Sequence, residues 1–396
     1  MRRLTIIIML IALIIQTQPV AAAPFVNGYG ALVMEMKSGQ VLWSQNAEER
    51  MYPASTTKIL TALLVIENAK LDDIVTVSSN AYGVEGSSIY LSEGEQQTVE
   101  DLLYALMLVS ANDVAVALAE HVSGSVEAFT KLMNERAQQL GAKNSHFVNP
   151  HGLHDPDHYT TPHYLALIAR GAMANPTFRQ LVKTEERQIP WPGQPWPREL
   201  YNHNRLLGTY EGMLGVKNGF TDEAMQTFVG AAQRQGHEIL SVVMRTDHIW
   251  EDTEALLDYG FQEVETRAAV EPGTSYQVGD YQFTVNQALK YDTAKGRFDS
   301  LVLKLQLPDG TGLTDLPLGS KEARLDLYQA DVKVGSASLT LQKKPSDPWY
   351  HKWWVWAVVF IVVLRLRVMV RRMFRRRRQT APIRIAQRYG DTNFRQ

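Results

Sequence analysis

The chain has 396 residues, a formal net charge of −2 and no cysteine. Its length is enough for two folded domains with additional segments at the ends. The lack of cysteine excludes a disulfide framework, a thiolate nucleophile and a cysteine-ligated metal. Residues 1–23 carry +2 and residues 351–396 carry +11, which leaves about −15 for the residues between them. A body with that much negative charge argues against a nucleic-acid partner.

The N-terminus has the three-part layout of a secretory signal. Arg2 and Arg3 precede an apolar run over residues 4–15, and the small residues 21–23 follow it. This order predicts a signal peptide over residues 1–23 that is cleaved after Ala23. An uncleaved N-terminal anchor is the alternative, although the run is short for a membrane span of about 20 residues.

The pattern of apolar and turn residues over residues 24–265 predicts helices that pack on a sheet. Apolar residues occupy almost every face of residues 53–69, which is typical of a buried helix. Thr98 and Asp101 resemble a capped helix start. Alternating apolar residues bounded by turn residues predict strands. The predicted strands are 31–36, 41–46, 212–217, 227–232 and 239–244, and the predicted helices are 53–69, 102–109, 114–121 and 250–259. This order predicts an α+β domain with a mixed sheet whose edges come from both ends of the segment.

The composition changes after about Glu265. Residues 266–345 are rich in turn residues and alternate between apolar and polar side chains, so a small all-β domain is expected there. Residues 346–372 then contain four tryptophans and an apolar run, and eight arginines fall between Arg365 and Arg378. An aromatic belt, a span and a basic flank predict a C-terminal membrane anchor, with the body outside and residues 373–396 as a cytoplasmic tail. Because Arg365 and Arg367 interrupt the run, an amphipathic helix lying in the membrane interface is the alternative.

The chemistry of the chain is concentrated in a serine and a lysine three positions apart. Ser55 and Lys58 would lie on one face of the first helix, where the lysine amine can take the proton of the serine hydroxyl. A lysine does this only when burial or a nearby positive charge lowers its pKa, and the apolar helix provides burial. The sequence therefore predicts a serine nucleophile with a lysine base.

Two further short motifs follow in the chain. Ser110 and Asn112 follow the end of an apolar helical run, where side chains can point into a cleft. Ser110 could relay a proton to a leaving amine there, and Asn112 could bind a substrate amide. Lys217 ends a predicted strand, and its ammonium suits a terminal carboxylate. Gly219 allows a substrate peptide to approach the strand edge closely. The backbone N–H groups of Ser55 and of a residue on the strand after Gly219 are the candidates for an oxyanion hole.

These motifs, taken with their surroundings, resemble the low-molecular-mass penicillin-binding proteins that act as serine D-Ala-D-Ala carboxypeptidases. The resemblance runs from about residue 28 to residue 261. It is carried by the stretches 53–58 (PASTTK), 86–88 (GSS), 102–103 (LL), 110–113 (SAND), 147–153 (FVNPHGL), 202–204 (NHN), 215–221 (GVKNGFT) and 256–261 (LLDYGF).

The resemblance implies a penicillin-binding/β-lactamase-like catalytic domain followed by a β-rich domain and a C-terminal membrane attachment. It implies Ser55 as the acylated nucleophile, Lys58 as the base, Ser110 and Asn112 as the second element and Lys217 as the carboxylate anchor. The implied ligands are peptidoglycan stem peptides and β-lactams. No cofactor and no metal are implied.

The sequence departs from the family at two positions. Asn218 stands where the family usually has threonine, whose hydroxyl resembles a donor to the terminal carboxylate, so turnover and exact substrate are in question. Met225 stands where relatives tend to carry a small residue.

Several readings stay open on the sequence alone. A D,D-endopeptidase or transpeptidase would use the same three motifs. A penicillin-binding module with weak turnover, acting as a cell-wall scaffold, is possible if Asn218 impairs catalysis. A β-lactamase lacks support, because nothing in the central loop clearly supplies the additional glutamate that class A enzymes use. The histidines between His151 and His163 resemble a structural loop more than a metal site, and the Trp191–Pro197 loop is expected to be stiff and extended.

Overall fold

The computed structural model describes residues 22–297, 299–345 and 352–379, without the side chains of residues 374–379. Most of the predicted signal peptide and the tail beyond residue 379 lie outside the described residues. The described helices are α1 (Lys58–Asn68), α2 (Val99–Leu108), α3 (Asn112–Ser123), α4 (Val126–Gln139), α5 (Pro162–Met173), α6 (Pro176–Lys183), α7 (Ile249–Glu263) and α8 (Trp353–Gln379).

The described strands form one sheet in the first part of the chain, one in the second part and three short pairings. They are β1 (Gly30–Glu35), β2 (Val41–Gln45), β3 (Ile74–Thr76), β4 (Gln96–Thr98), β5 (Glu186–Ile189), β6 (Arg198–Tyr201), β7 (Met213–Thr221), β8 (Met225–Arg234), β9 (His237–Thr246), β10 (Val264–Val270), β11 (Ser275–Val278), β12 (Tyr281–Val285), β13 (Leu289–Ala294), β14 (Leu301–Gln306), β15 (Arg324–Gln329) and β16 (Val332–Lys343).

The first sheet has the strand order β2-β1-β9-β8-β7. Its edges come from the two ends of the segment, as predicted. All four pairings are antiparallel, so the expected mixture of strand directions is not found. Hairpins join β1 to β2, β7 to β8 and β8 to β9, and a hairpin can only produce antiparallel neighbours.

Helices cover both faces of this sheet. Phe228, Val243 and Leu256 belong to the core between the sheet and α7. The larger core on the opposite face includes Leu63 of α1 and Leu103 of α2, and both side chains are almost completely buried. Helix α1 is apolar on nearly every side because it lies in the middle of this helical layer. The α+β class predicted from the sequence is confirmed.

Strand β7 continues further than the sequence predicted. Lys217 was expected to end the strand, but β7 runs on to Thr221 and pairs with β8 through Thr221 and Met225. The motif Lys217-Asn218-Gly219 therefore lies within an edge strand. Its backbone is extended and borders the site along its length.

The strands after residue 264 form a second sheet with the order β11-β12-β16-β15-β14, and β10 pairs with β13. Phe283, Leu325 and Leu339 are buried in its core. This part of the described chain is built of strands, as the alternating pattern predicted. The exact domain boundaries stay predictions.

Helix α8 contains the C-terminal apolar segment. The stretch Trp353–Met373 is 21 residues long with a mean hydropathy of 2.0, and only 6% of its most apolar window is buried. It is the one helix among the described residues that is long and apolar enough to cross a membrane. An exposed apolar helix of this length suggests membrane anchoring.

Candidate active site

Ser55 lies in a short 3₁₀ turn, Ala54–Thr57, that leads directly into α1. The hydroxyl of Thr227 on β8 donates a hydrogen bond of 3.0 Å to the carbonyl of Pro53, which fixes the turn against the sheet. Ala54 has a φ of 48°, a left-handed conformation that is rare for alanine. Strained backbone of this kind is frequent at functional sites.

Lys58 is the first residue of α1, and its side chain is fully buried. Its Nζ lies 3.0 Å from Ser55 Oγ, 2.6 Å from Asn112 Oδ1 and 2.7 Å from the carbonyl oxygen of His151. Burial lowers the pKa of Lys58 well below its usual value, and the positive charge of Lys217 lowers it further, whereas Asp113 opposes the shift.

The hydrogen bonds of Lys58 define how its neutral amine is oriented. Asn112 Nδ2 donates to the carbonyl of Glu85 at 2.6 Å, so Asn112 presents its oxygen to Lys58. A neutral amine has two N–H groups, and the oxygens of Asn112 and His151 can only accept. When Lys58 is neutral, these two acceptors take both N–H groups, so the nitrogen lone pair faces Ser55 Oγ. That is the orientation a general base needs.

Ser110 and Asn112 lie on either side of Ala111, where the chain passes from α2 into α3. Asn112 begins α3, and its backbone N–H donates to the carbonyl of Ser87 at 2.6 Å. Ser110 has a φ of 63°, and its buried Oγ has no hydrogen-bond partner among the described residues. A buried hydroxyl without a partner is unusual in a folded protein and is available to a substrate.

Lys217 is a buried residue in the middle of β7. Its Nζ donates a hydrogen bond of 2.9 Å to the backbone carbonyl of Asn218. Burial lowers the pKa of Lys217 to about 7. Its charge lowers the pKa of Lys58 in addition to the effect of burial, which is the cause that the sequence analysis predicted.

Gly219 brings β7 into contact with the 3₁₀ turn. A Cβ at this position would lie 2.6 Å from the backbone nitrogen of Ser55 and 2.9 Å from Thr227 Oγ1. Only glycine allows this approach. Gly152 has the same function on the other side of the turn, because a Cβ there would overlap the carbonyl oxygen of Ala54.

Asn218 and Phe220 line a cavity of about 470 Å³ beside the edge of β7. The other lining residues come from the loop before β7, from β7 itself, from β8 and from the start of α7, and they are Asn202, His203, Arg205, Gly219, Gln226, Ile249 and Trp250. Contacts link six of the seven residues predicted from the motifs, and the seventh, Ser110, lies two positions before Asn112 in the chain. Ser55, Lys58 and Asn112 are in direct contact, and Gly219 adjoins Ser55.

The sequence analysis missed the contribution of the loop over residues 149–158. The carbonyl of His151 binds Lys58, and His158 Nε2 lies 2.8 Å from Thr57 Oγ1. Val148 N–H donates to His158 Nδ1, which places the ring proton on Nε2, facing Thr57. Burial lowers the pKa of His158 to about 3, so this ring is neutral. The stretch 147–153 quoted for the family resemblance was the available signal.

The remaining histidines of this loop are dispersed. His154 packs edge-on against Tyr52, and His163 Nδ1 lies 2.6 Å from Glu48. The loop Trp191–Pro197 joins β5 to β6, two short strands that the sequence analysis did not predict. Arg198 at the end of this loop forms a buried ion pair with Glu95 at 2.6 Å.

The fold and the site together define a penicillin-binding type of serine acyl-transfer protein. The sequence pattern of the D-alanyl-D-alanine carboxypeptidase family, peptidase family S11, matches residues 17–248. The chain belongs to this family of carboxypeptidases.

Relatives and solved structures agree with this assignment. The chain is 35% identical to D-alanyl-D-alanine carboxypeptidase DacF of Bacillus subtilis, over 60% of this chain and 62% of that protein. The match thus spans less than two thirds of the Bacillus protein. The chain is 27% identical to D-alanyl-D-alanine carboxypeptidase DacA of Haemophilus influenzae, over 85% of this chain and 90% of that protein. A crystal structure of penicillin binding protein 5 from Haemophilus influenzae superposes with a TM-score of 0.62 at 26% identity, covering 82% of this chain and 99% of that one.

Proposed function

We propose that this chain removes the terminal D-alanine from peptidoglycan stem peptides through an acyl-enzyme on Ser55. The single observation that carries the proposal is the distance of 3.0 Å between Lys58 Nζ and Ser55 Oγ, with the amine held by Asn112 Oδ1 and the carbonyl oxygen of His151. Peptides ending in D-Ala-D-Ala are the substrate class that the names of the relatives indicate.

In the proposed reaction, Lys58 takes the hydroxyl proton while Ser55 Oγ attacks the carbonyl of the penultimate D-alanine. The backbone N–H groups of Ser55 and Phe220 are proposed to bind the oxyanion, since Gly219 brings β7 against Ser55. Ser110 relays a proton to the departing amine, and the peptide bond breaks. Water then attacks the ester, and the shortened peptide leaves with a free carboxylate.

The same nucleophile is proposed to open β-lactams, whose amide carbonyl acylates the serine while the ring nitrogen takes the proton. A labelled penicillin should therefore attach to Ser55, as peptide mapping after digestion can show. Ser55→Ala should abolish the label, whereas Ser79→Ala, at an exposed serine on another part of the surface, should retain it. Label on a different residue, or none on the folded wild type, would refute the proposal.

A D,D-endopeptidase is the second candidate, and the cavity beside Asn218 favours it. A volume of about 470 Å³ is more than the methyl and carboxylate of one alanine require, and lies within the range of about 300–1,000 Å³ for ligand sites. Product analysis on a pentapeptide and on a cross-linked dimer separates the two activities. The weakly active scaffold is disfavoured by the intact contacts among Ser55, Lys58 and Asn112.

We also propose that α8 anchors the protein in the membrane with the catalytic body outside the cell and the arginine-rich tail in the cytoplasm. The eight arginines that begin at Arg365 support this orientation. Protease added to intact, wall-stripped cells should digest residues 24–345 and spare the tail. Protection of the body would reverse the orientation. A chain truncated after Lys344 should be soluble and active.

A further inference from the structure

A second cavity lies at the end of the hairpin formed by β7 and β8. Its volume is about 380 Å³, within the range of about 300–1,000 Å³ for ligand sites. Glu223 lines it from the turn between the two strands. Tyr52 lines it from the segment that leads into the 3₁₀ turn of Ser55. Tyr159 lines it from the end of the loop that contacts Lys58. The cavity is thus built from segments that also build the active site.

Arg245 lines this cavity from a bulge in β9. In the pairing with β8, two consecutive residues of β8 face Met244 and Thr246, so Arg245 has no partner in the ladder. Its φ of 58° is left-handed, which is uncommon for a residue other than glycine. Bulges of this kind redirect a side chain and are frequent next to active sites. The Arg245 guanidinium lies 5.6 Å from the ring centroid of Tyr29, and both residues line the cavity.

The charged side chains that line the cavity balance each other without being paired. They are two guanidinium groups, Arg50 and Arg245, and two carboxylates, Asp157 and Glu223. Within the described part of the chain, none of the four forms an ion pair. The cavity therefore offers hydrogen-bond donors and acceptors without a net charge. Such a lining suits an uncharged polar ligand, since an ion of either sign would lie near a like charge.

Three tyrosines complete the walls, and they are Tyr29, Tyr52 and Tyr159. Their hydroxyls make no hydrogen bond to a described residue. The guanidinium of Arg50 lies over the Tyr159 ring at 4.2 Å, and His154 packs edge-on against Tyr52 at 4.5 Å, so both rings are held in place. A tyrosine combines an apolar ring face with a polar hydroxyl at its edge. A pyranose sugar has the matching pattern, with C–H groups on its faces and hydroxyls around its edge.

The position of the cavity along β7 indicates which part of a substrate reaches it. In the proposed reaction, the oxyanion is bound at Ser55 and Phe220, and the leaving residue lies toward Lys217. The acyl part of the substrate then continues along β7 toward Glu223. Glu223 lies four positions beyond Gly219, which is at most about 14 Å at about 3.4 Å per residue. A stem peptide has about four residues between the sugar and the scissile bond, which is about the same length.

We propose that this cavity binds a sugar ring of the glycan strand that carries the stem peptide, with Arg245 and Tyr29 among its contacts. This inference rests on the proposed function of the neighbouring active site. The sugar belongs to the acyl side of the scissile bond, so it stays in place until water releases the acyl group from Ser55. The enzyme therefore favours stem peptides attached to glycan over free peptides.

The test measures kcat/KM of the full chain on a pentapeptide that ends in D-Ala-D-Ala and on the same pentapeptide attached to its disaccharide. The readout is the ratio of the two values, which an overall loss of activity does not change. The wild type should prefer the disaccharide substrate at least about fivefold, because one net hydrogen bond is worth about this factor. Arg245→Gly and Tyr29→Ala should each bring the ratio close to one. Glycine adopts a left-handed φ readily, so Arg245→Gly removes the side chain and keeps the bulge.

The matched control is Gln235→Gly, which makes the same kind of exchange at a φ of 52° in the turn between β8 and β9, outside the cavity. It should keep the wild-type ratio. A preference that persists in both cavity variants would place the sugar elsewhere and overturn the inference. A wild-type ratio of one, combined with weaker turnover of the free pentapeptide in Arg245→Gly, would assign the cavity to a residue of the stem peptide instead.

Labelled penicillin on Ser55 distinguishes failure of this inference from failure of the proposed function. An unlabelled Ser55 in the folded wild type refutes the proposed function. A labelled Ser55 with a wild-type ratio of one refutes the sugar site alone.

Discussion

Gly219 of β7 adjoins Ser55 so closely that a Cβ at Gly219 would lie 2.6 Å from the backbone nitrogen of Ser55. The two residues are 164 positions apart in the chain, and their approach joins the sheet edge to the nucleophile. The atoms that a Cβ would meet first belong to the backbone turn and to Thr227, which itself holds Pro53. The site therefore has little freedom to accommodate a side chain there.

Gly219→Ala should reduce acylation by labelled penicillin at least about tenfold, because a misplacement of about 1 Å can cost 10²-fold in rate. Gly312→Ala is the control, since the nearest atom to its new Cβ is the end of the Asp315 side chain, far from the site. A stopped-flow acylation rate for Gly219→Ala equal to that of the wild type would show that the turn can move aside.

Lys58→Ala should lower the acylation rate by at least about 10², because a general base typically contributes 10² to 10⁴. The variant also loses a buried amine that joins Asn112 to the carbonyl of His151. Circular dichroism is needed to show that the variant is folded. Acylation close to the wild-type rate in a folded variant would mean that another group deprotonates Ser55.

Lys217→Met should move the acid limb of the acylation pH profile to higher pH. Acylation requires neutral Lys58, so the rate rises as pH increases through the pKa of Lys58. The positive charge of Lys217 lowers that pKa, and removal of the charge should raise it. Lys183→Met, at an exposed position on α6, should leave the limb in place. An acid limb that stays fixed or moves to lower pH in Lys217→Met would contradict the proposed coupling.

Ser110→Gly should separate stability from activity. The left-handed φ of 63° costs an L-residue about 1–2 kcal/mol, and the buried hydroxyl has no partner to lose. The variant should therefore unfold at the same or a higher temperature in calorimetry. Its turnover should fall at least tenfold if Ser110 transfers the proton to the leaving amine. Ser110→Ala, which keeps the Cβ, should lose the same activity without the gain in stability.

Asn218→Thr should raise turnover on D-Ala-D-Ala peptides by about tenfold, because a hydroxyl donates one short hydrogen bond whereas a carboxamide must also keep its oxygen away from an anion. The acylation site should remain Ser55. Equal or lower turnover in a stable Asn218→Thr variant would indicate that the cavity is shaped around asparagine, as a larger leaving group would require.

The sequence by itself determined the chemistry of this protein. Secondary structure alone converts the spacing of Ser55 and Lys58 into neighbouring positions on one helix face. The apolar surroundings of α1 and the order of the three motifs are likewise read directly from the sequence. The alternating stretches after residue 264 likewise predicted strands, since period-two alternation has few other meanings. Only the structure shows that Met225, at the start of β8, has a φ of 55°, a left-handed conformation that favours glycine and gives a reason for a small residue at this position.

The tertiary structure decided which groups meet. Three features depend on segments that are distant in sequence. They are the strand direction in the sheet, the extension of β7 beyond Lys217, and the contact of the His151 carbonyl with Lys58. The pKa shifts of the buried residues Lys58 and Lys217 also require the tertiary structure, because a pKa depends on solvent exclusion and on neighbouring charge in three dimensions. Arg245 carries no motif at all. Only the bulge in β9 places its charge beside Tyr29 in the second cavity.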